Sequence, residues 1–137
     1  MKLSKELIKE IAEEQDCGML CYVHKTTLKL EIYPKELNDD SDLIEIWSDV
    51  IDKVNESYKD YVKIESMESF ERFKMMEIFT SNIQDQNLKN QLFNILESTK
   101  PFRNWKNTIE SDSNYRDSWF AFKNEKLKEY VQMQFSE

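Results

Sequence analysis

Glycine is almost missing from this chain, with one in 137 residues, and proline occurs only twice. Such scarcity excludes glycine-rich phosphate-cradling loops. It also argues against sandwiches built on many tight turns, and favours a mostly helical build. Cysteine is confined to Cys17 and Cys21, too few and too close for a secreted disulfide framework, so both read as reduced structural thiols. There is one histidine, His24, so a Ser-His-Asp set has a single place to form. Long apolar runs are also lacking. The opening MKLSKELIKEIAEEQ has no uninterrupted apolar core of a signal peptide. No later segment approaches the roughly 18 apolar residues that would span a bilayer. Positive charge falls short of negative, leaving a net −8 that repels nucleic acid and anionic membranes at long range. The expectation is a soluble cytoplasmic protein with no membrane association, for which generic nucleic-acid binding is unlikely.

What is present is enough apolar material for one core: 39% of the residues are apolar and 12% are aromatic. We therefore expect a single domain over residues 1–137. Ser4 caps a first helix carrying Leu7, Ile8, Ile11 and Ala12, and Gly18 stops it. The period then changes. Met19–Val23 and Leu28–Ile32 read as an antiparallel hairpin around His24–Thr27, with Pro34 ending the second strand. The polar loop Asn38–Asp42 leads into a regular helix to about Glu56, capped by Ser41 or Asp42. Its apolar stripe is Leu43, Ile44, Trp47, Val50, Ile51 and Val54. A third strand spans Tyr61–Glu65. Four more helices follow: one marked by Phe70, Phe73, Met76 and Phe79; one capped by Asp85; one opened by Pro101; and a long one over Ser113–Gln134. The fold class is α+β: a small three-stranded antiparallel sheet with an N-terminal hairpin, covered by five to six helices, the C-terminal half all-helical.

Two helical faces stand out when residues are placed at 100° per position. Asp42, Glu45, Asp49, Asp52 and Glu56 share one narrow arc of the second helix, with Lys53 at its edge. A solvated face explains them at small cost, since like charges at this spacing lose a few tenths of a kcal/mol per pair. The functional reading is a docking stripe for a basic partner. A metal site is not expected, because side chains of one straight helix diverge and the Asn38–Glu45 segment lacks a calcium-loop glycine.

The stretch Pro101–Lys123, PFRNWKNTIESDSNYRDSWFAFK, holds two of the three tryptophans and concentrates Phe102, Tyr115, Phe120 and Phe122. On the last helix Tyr115, Trp119, Phe122, Tyr130 and Met133 form one apolar row, and Phe120, Leu127 and Val131 another. Arg116 and Lys123 project between them. Cations there must snorkel, pair with carboxylates or face a wet groove, and Arg116–Phe120 and Lys123–Trp119 spacings allow cation–ring contact. An internal salt bridge is one reading. The other is a half-apolar, half-cationic groove formed by Arg103, Trp105, Lys106, Arg116, Trp119 and Lys123 for a protein partner or a small anionic ligand.

No catalytic residues are assigned. The Cys17, Cys21 and His24 spacing matches no common zinc pattern, so neither metal nor cofactor is expected. The leading reading is a non-enzymatic binding or adaptor module. The alternative is an enzyme or processing factor acting on a phosphorylated or nucleic-acid substrate held by the aromatic and cationic C-terminal helices. The charges also allow a homodimer in which the acidic helix of one copy meets the cationic helix of another.

The segments CGMLCYVHKTTLKLEIYP and DYVKIE, and above all KPFRNWKN followed by YRDSWFAFKNEKLKEYV, resemble a bacterial family of uncharacterised proteins, number 158 in the UPF series. The resemblance covers nearly the whole chain. Its departure is the hairpin turn KTT, which lacks the glycine of the family version. The family implies a bacterial, cytoplasmic, single-domain protein with no established activity, and so no catalytic residues to carry over.

Overall fold

The computed structural model describes residues 1–37 and 39–135. Six α-helices and three strands follow in the order α1 (Lys5–Asp16), β1 (Met19–His24), β2 (Leu30–Pro34), α2 (Ser41–Glu56), β3 (Tyr61–Ile64), α3 (Ser69–Ser81), α4 (Gln86–Leu96), α5 (Pro101–Glu110) and α6 (Arg116–Met133). A single 3-10 turn, Tyr58–Asp60, precedes β3. This is the α+β architecture with a three-stranded antiparallel sheet, ordered β2-β1-β3. No described helix is long and apolar enough to cross a membrane. Two compact units divide the chain: Met1–Ser66 with Leu127–Glu137, and Met67–Lys126.

In the first unit the sheet has two differently used faces. Cys21 lies opposite Ile32 and Ile64, and Val23 opposite Leu30 and Val62, so these side chains share a face. Helix α1 covers it. The Cys21 thiol points to the Ile11 carbonyl at 3.9 Å, and Gln15 Nε2 donates to the Ile64 carbonyl at 3.0 Å. The other face carries Tyr22, Glu31, Tyr33 and Lys63. Tyr22 and Tyr33 stack at 5.6 Å with their hydroxyls 3.1 Å apart. Glu31 is buried here, and Lys53 of α2 reaches it at 2.8 Å. Alternation alone expects Leu28, Leu30 and Ile32 to be the buried positions of this strand. Leu30 and Ile32 are half-buried on the α1-facing side, and Glu31 is buried on the other as well, because an ion pair makes its carboxylate tolerable inside.

The strand also starts later than its pattern suggests. Leu28 has φ +61°, a left-handed conformation that breaks extended pairing, so β2 opens at Leu30. Without a glycine, the turn is built by side chains: His24 Nδ1 accepts from the backbone N–H of Thr26 and Thr27, both at 3.1 Å, and Thr27 Oγ1 accepts from Lys29 N at 3.2 Å. Pro34 closes β2, an edge strand where its missing donor costs nothing. At the sheet's other edge, Gln134 brackets Glu65. Its Oε1 accepts the Glu65 N–H at 2.8 Å and its Nε2 donates to the Glu65 carbonyl at 2.7 Å.

Helix α2 is capped one residue earlier than expected. Asp40 Oδ1 accepts from Asp42 N at 3.0 Å and Leu43 N at 3.2 Å, taking the place assigned to Ser41 or Asp42. A carboxylate two residues before the first free N–H groups reaches both, which Ser41 does not. Asn38, the start of that polar loop in the sequence reading, lies outside the described residues. Replacing Asp40 by alanine is expected to lower stability by about 1 kcal/mol. Urea unfolding followed by circular dichroism would measure it, and an unchanged midpoint would refute the cap.

The second unit is all-helical. Its core joins Met75, Met76 and Phe79 of α3, Ile83, Leu88, Leu92 and Leu96 of α4 and its approach, Trp105 and Ile109 of α5, and Trp119 of α6. Phe70 departs from the expected apolar row and is exposed, with Met75 taking the inward position instead. Helix α6 begins at Arg116 and not near Ser113. Asp112 Oδ1 accepts from the N–H groups of Asn114 and Tyr115 at 2.9 and 3.1 Å, and its carbonyl accepts from Arg116 N at 2.9 Å, so this turn leads directly into the helix.

Candidate functional site

The six residues of the aromatic and cationic stretch separate into two sets. Trp105 and Trp119 meet edge to face, with ring centroids 4.6 Å apart, and both are 0% exposed. Phe79 lies against each, at 6.1 and 5.3 Å. Trp105 Nε1 donates to Thr80 Oγ1 at 2.9 Å, and Thr80 in turn donates to the Met76 carbonyl at 2.7 Å. Neither indole is available to touch a ligand. Flat apolar surface is worth most inside, and α5 and α6 use theirs to close the second unit.

The cations stay outside. Arg116 and Arg103 are exposed, and Lys106 and Lys123 are half-buried. Arg116 Cζ stands 5.3 Å from the Phe120 ring centre and Lys123 Nζ stands 5.0 Å from the same ring. The sequence places Lys123 over Trp119. With Trp119 turned inward, the ring on the solvent side is Phe120, three residues before Lys123 and four after Arg116. A third cation extends the row: Lys126 Nζ lies 5.6 Å from the Phe122 ring. Sequence reasoning missed it, although Phe122 and Lys126 have the spacing already noted for Arg116 and Phe120. Arg103 and Lys106 lie on α5 and make no hydrogen bond, ion pair or ring contact among the described residues. The structure thus joins Arg116 with Lys123 through Phe120, and joins Trp105 with Trp119, but shows no contact linking Arg103 or Lys106 to the α6 pair.

The acidic arc of α2 is also on the surface. Asp42, Glu45, Asp49, Asp52 and Glu56 are all exposed. None of their carboxylates takes part in a hydrogen bond or ion pair among the described residues. Lys53, the expected edge counter-charge, points away to Glu31, which holds its ammonium above the usual lysine range through that hydrogen bond. The arc is therefore less compensated than its sequence suggests.

The Cys21 thiol and the His24 Nδ1 are both taken up by the fold. Cys21 is fully buried, and desolvation, aided by Glu14 and Glu10, pushes its thiol up to about 12, far from a nucleophilic thiolate at neutral pH. His24 spends Nδ1 on the hairpin turn and packs edge-on against Tyr61 at 5.2 Å. Cys17 is exposed at the end of α1. Among the described residues no three His, Cys, Asp or Glu side chains gather as metal ligands.

The model of the Uncharacterised protein family (UPF0158) matches residues 1–135. The chain belongs to that family. In this UPF0158 chain the segments that carry the resemblance split by role. KPFRNWKN and YRDSWFAFK supply both the buried indole pair and the outer cations, whereas CGMLCYVHKTTLKLEIYP builds β1 and β2 and DYVKIE builds β3. No curated protein and no solved structure matches.

Proposed function

We propose that this UPF0158 chain is a non-enzymatic binding or adaptor module acting in the bacterial cytoplasm. Its recognition surface is the cationic side of the second unit, where Arg116 and Lys123 contact the ligand, assisted by Arg103 and Lys106, and Trp105 and Trp119 hold α5 and α6 in place. The observation that carries this reading is the pair of cations over one ring. Phe120 gathers a guanidinium at 5.3 Å and an ammonium at 5.0 Å from its ring centre, so two cationic side chains converge on one ring of α6.

Such a pair suits carboxylates on an acidic protein segment. Arginine offers a planar fork and lysine a point charge, and each charge-assisted contact is worth about 1.5–3 kcal/mol. A single-stranded nucleic acid is the weaker candidate, because stacking needs an open aromatic face and both nearby indoles are buried.

The test is titration of the full chain with a labelled aspartate- and glutamate-rich peptide, in parallel with a short oligonucleotide. The Arg116→Ala/Lys123→Ala variant is expected to bind the acidic peptide roughly tenfold or more weakly. Its circular dichroism should be unchanged, since Arg116 is exposed and Lys123 is only half-buried. Equal affinities for variant and wild type would remove this surface, and tighter binding of the oligonucleotide would move the reading to the nucleic-acid alternative.

A further inference from the structure

The apolar stripe of α2 is largely uncovered. Sequence periodicity assigns Leu43, Ile44, Trp47, Val50, Ile51 and Val54 to a buried face, yet only Val54 is buried. Trp47, Val50 and Ile51 are half-buried, while Leu43 and Ile44 are 39% and 41% exposed. Ile46, outside the expected stripe, is 69% exposed. Helix α2 packs on β2, and burial rises along it towards Val54 and the Lys53–Glu31 pair. Its first two turns therefore present an apolar surface to solvent.

That surface has an ordered shape. Leu43, Ile46, Trp47 and Val50 follow the i, i+3, i+4, i+7 spacing of a seam into which a second helix packs. Ile46 borders the acidic arc, so the seam runs beside Asp42, Glu45 and Asp49, whose carboxylates have no ion pair among the described residues. An exposed apolar strip rimmed by charge of one sign has the pattern of a docking site.

We propose that the N-terminal half of α2 docks a basic amphipathic helix of a partner protein. The apolar seam of the partner would pack on Leu43, Ile46, Trp47 and Val50, and its lysines or arginines would face Asp42, Glu45 and Asp49. Charge selects this occupant over others. An anionic membrane or a nucleic acid meets repulsion from the arc, and so does an α2-to-α2 pairing of two copies, which sets one acidic row against another. This surface does not depend on the cationic one, and either can fail alone.

Trp47 supplies the readout, because Trp105 and Trp119 are sealed in the core and Trp47 is the half-buried indole. A designed helical peptide with leucines at seam spacing and lysines elsewhere is titrated into the full chain at physiological salt, beside a twin carrying glutamates for lysines. The lysine peptide should shift Trp47 emission to the blue and bind at least about tenfold more tightly than its twin. Leu43→Gln/Ile46→Gln, which keeps the charge and changes only exposed positions, should weaken it at least about tenfold. Asp42→Asn/Asp49→Asn should weaken it and flatten its salt dependence.

Absence of binding overturns the proposal. So does undiminished binding by Leu43→Gln/Ile46→Gln, which would reduce the effect to general attraction for an acidic protein. Equal affinity for the twin would reduce it to apolar adhesion. Sedimentation closes the remaining route: a wild-type dimer that this apolar variant turns monomeric would make a second copy the occupant and overturn the partner assignment.

Discussion

Replacing Trp105 with alanine is expected to destabilise the protein by about 3–5 kcal/mol, the range for removing a large buried aromatic. The site gives little room for relief. Trp105 is enclosed by Trp119 and Phe79, and its Nε1 ties α5 to Thr80 of α3. Phenylalanine substitutions separate the packing from the bond. Trp105→Phe removes the only hydrogen bond from Nε1 and leaves Thr80 Oγ1 without that donor, a loss of about 1–3 kcal/mol beyond the volume change. Trp119 behaves differently, since its Nε1 is buried with no hydrogen-bond partner among the described residues. Trp119→Phe deletes a buried donor that has no partner, so relief of its desolvation should offset part of the volume loss. Urea unfolding followed by far-ultraviolet circular dichroism compares the two. Equal losses would show that the Trp105–Thr80 bond contributes nothing.

The second large effect appears in alkali. Cys21 sits on the α1-facing side of the sheet, and its thiol rises from 9.0 to about 12 on folding. Below pH 9 the thiol is neutral in both states and its contribution to stability is fully present. Between 9 and about 12 the unfolded chain releases the proton while the folded one retains it. Stability therefore falls as pH rises through that window, by about 4 kcal/mol once both pKa values are passed. Tyr33, pushed up to about 12 by burial and its bond with Tyr22, acts in the same direction from pH 10 upward. Urea midpoints at pH 8 and pH 11 should drop steeply for the wild type and less for Cys21→Ala, with Tyr33→Phe removing a smaller share. An equal drop in Cys21→Ala would overturn the assignment. Thiol labelling in the native state gives an independent check, as exposed Cys17 should react and Cys21 should not.

Much of the architecture is legible in the sequence because local signals and tertiary context agree there. Ser4, Gly18, Asp85 and Pro101 bound their helices as their side chains dictate; Gly18 in particular holds φ +87°, which a residue with a Cβ rarely adopts. Disagreement arises where a long-range contact decides. Glu31 reads as a solvent-facing strand position until Lys53, 22 residues away, neutralises it. Periodicity groups Leu43, Trp47 and Val50 on one side of α2 but carries no information on whether anything covers that side. The aromatic stretch shows the same limit. Its spacing places rings and cations on neighbouring rows of α6, yet only packing determines that Trp119 goes in and Phe120 stays out beneath Arg116 and Lys123.

One helix has a consequence for the order in which the molecule is completed. Residues 67–126 are a continuous insertion within the sheet-bearing unit, which joins the first 66 residues to the stretch from Leu127 onward. Leu127 and Val131 are buried, and Gln134 supplies the bracket on Glu65. In a chain emerging from the ribosome, the all-helical insert therefore has its whole sequence before the sheet unit does. The bracket that Gln134 places on Glu65 therefore forms only after the whole insert has been made.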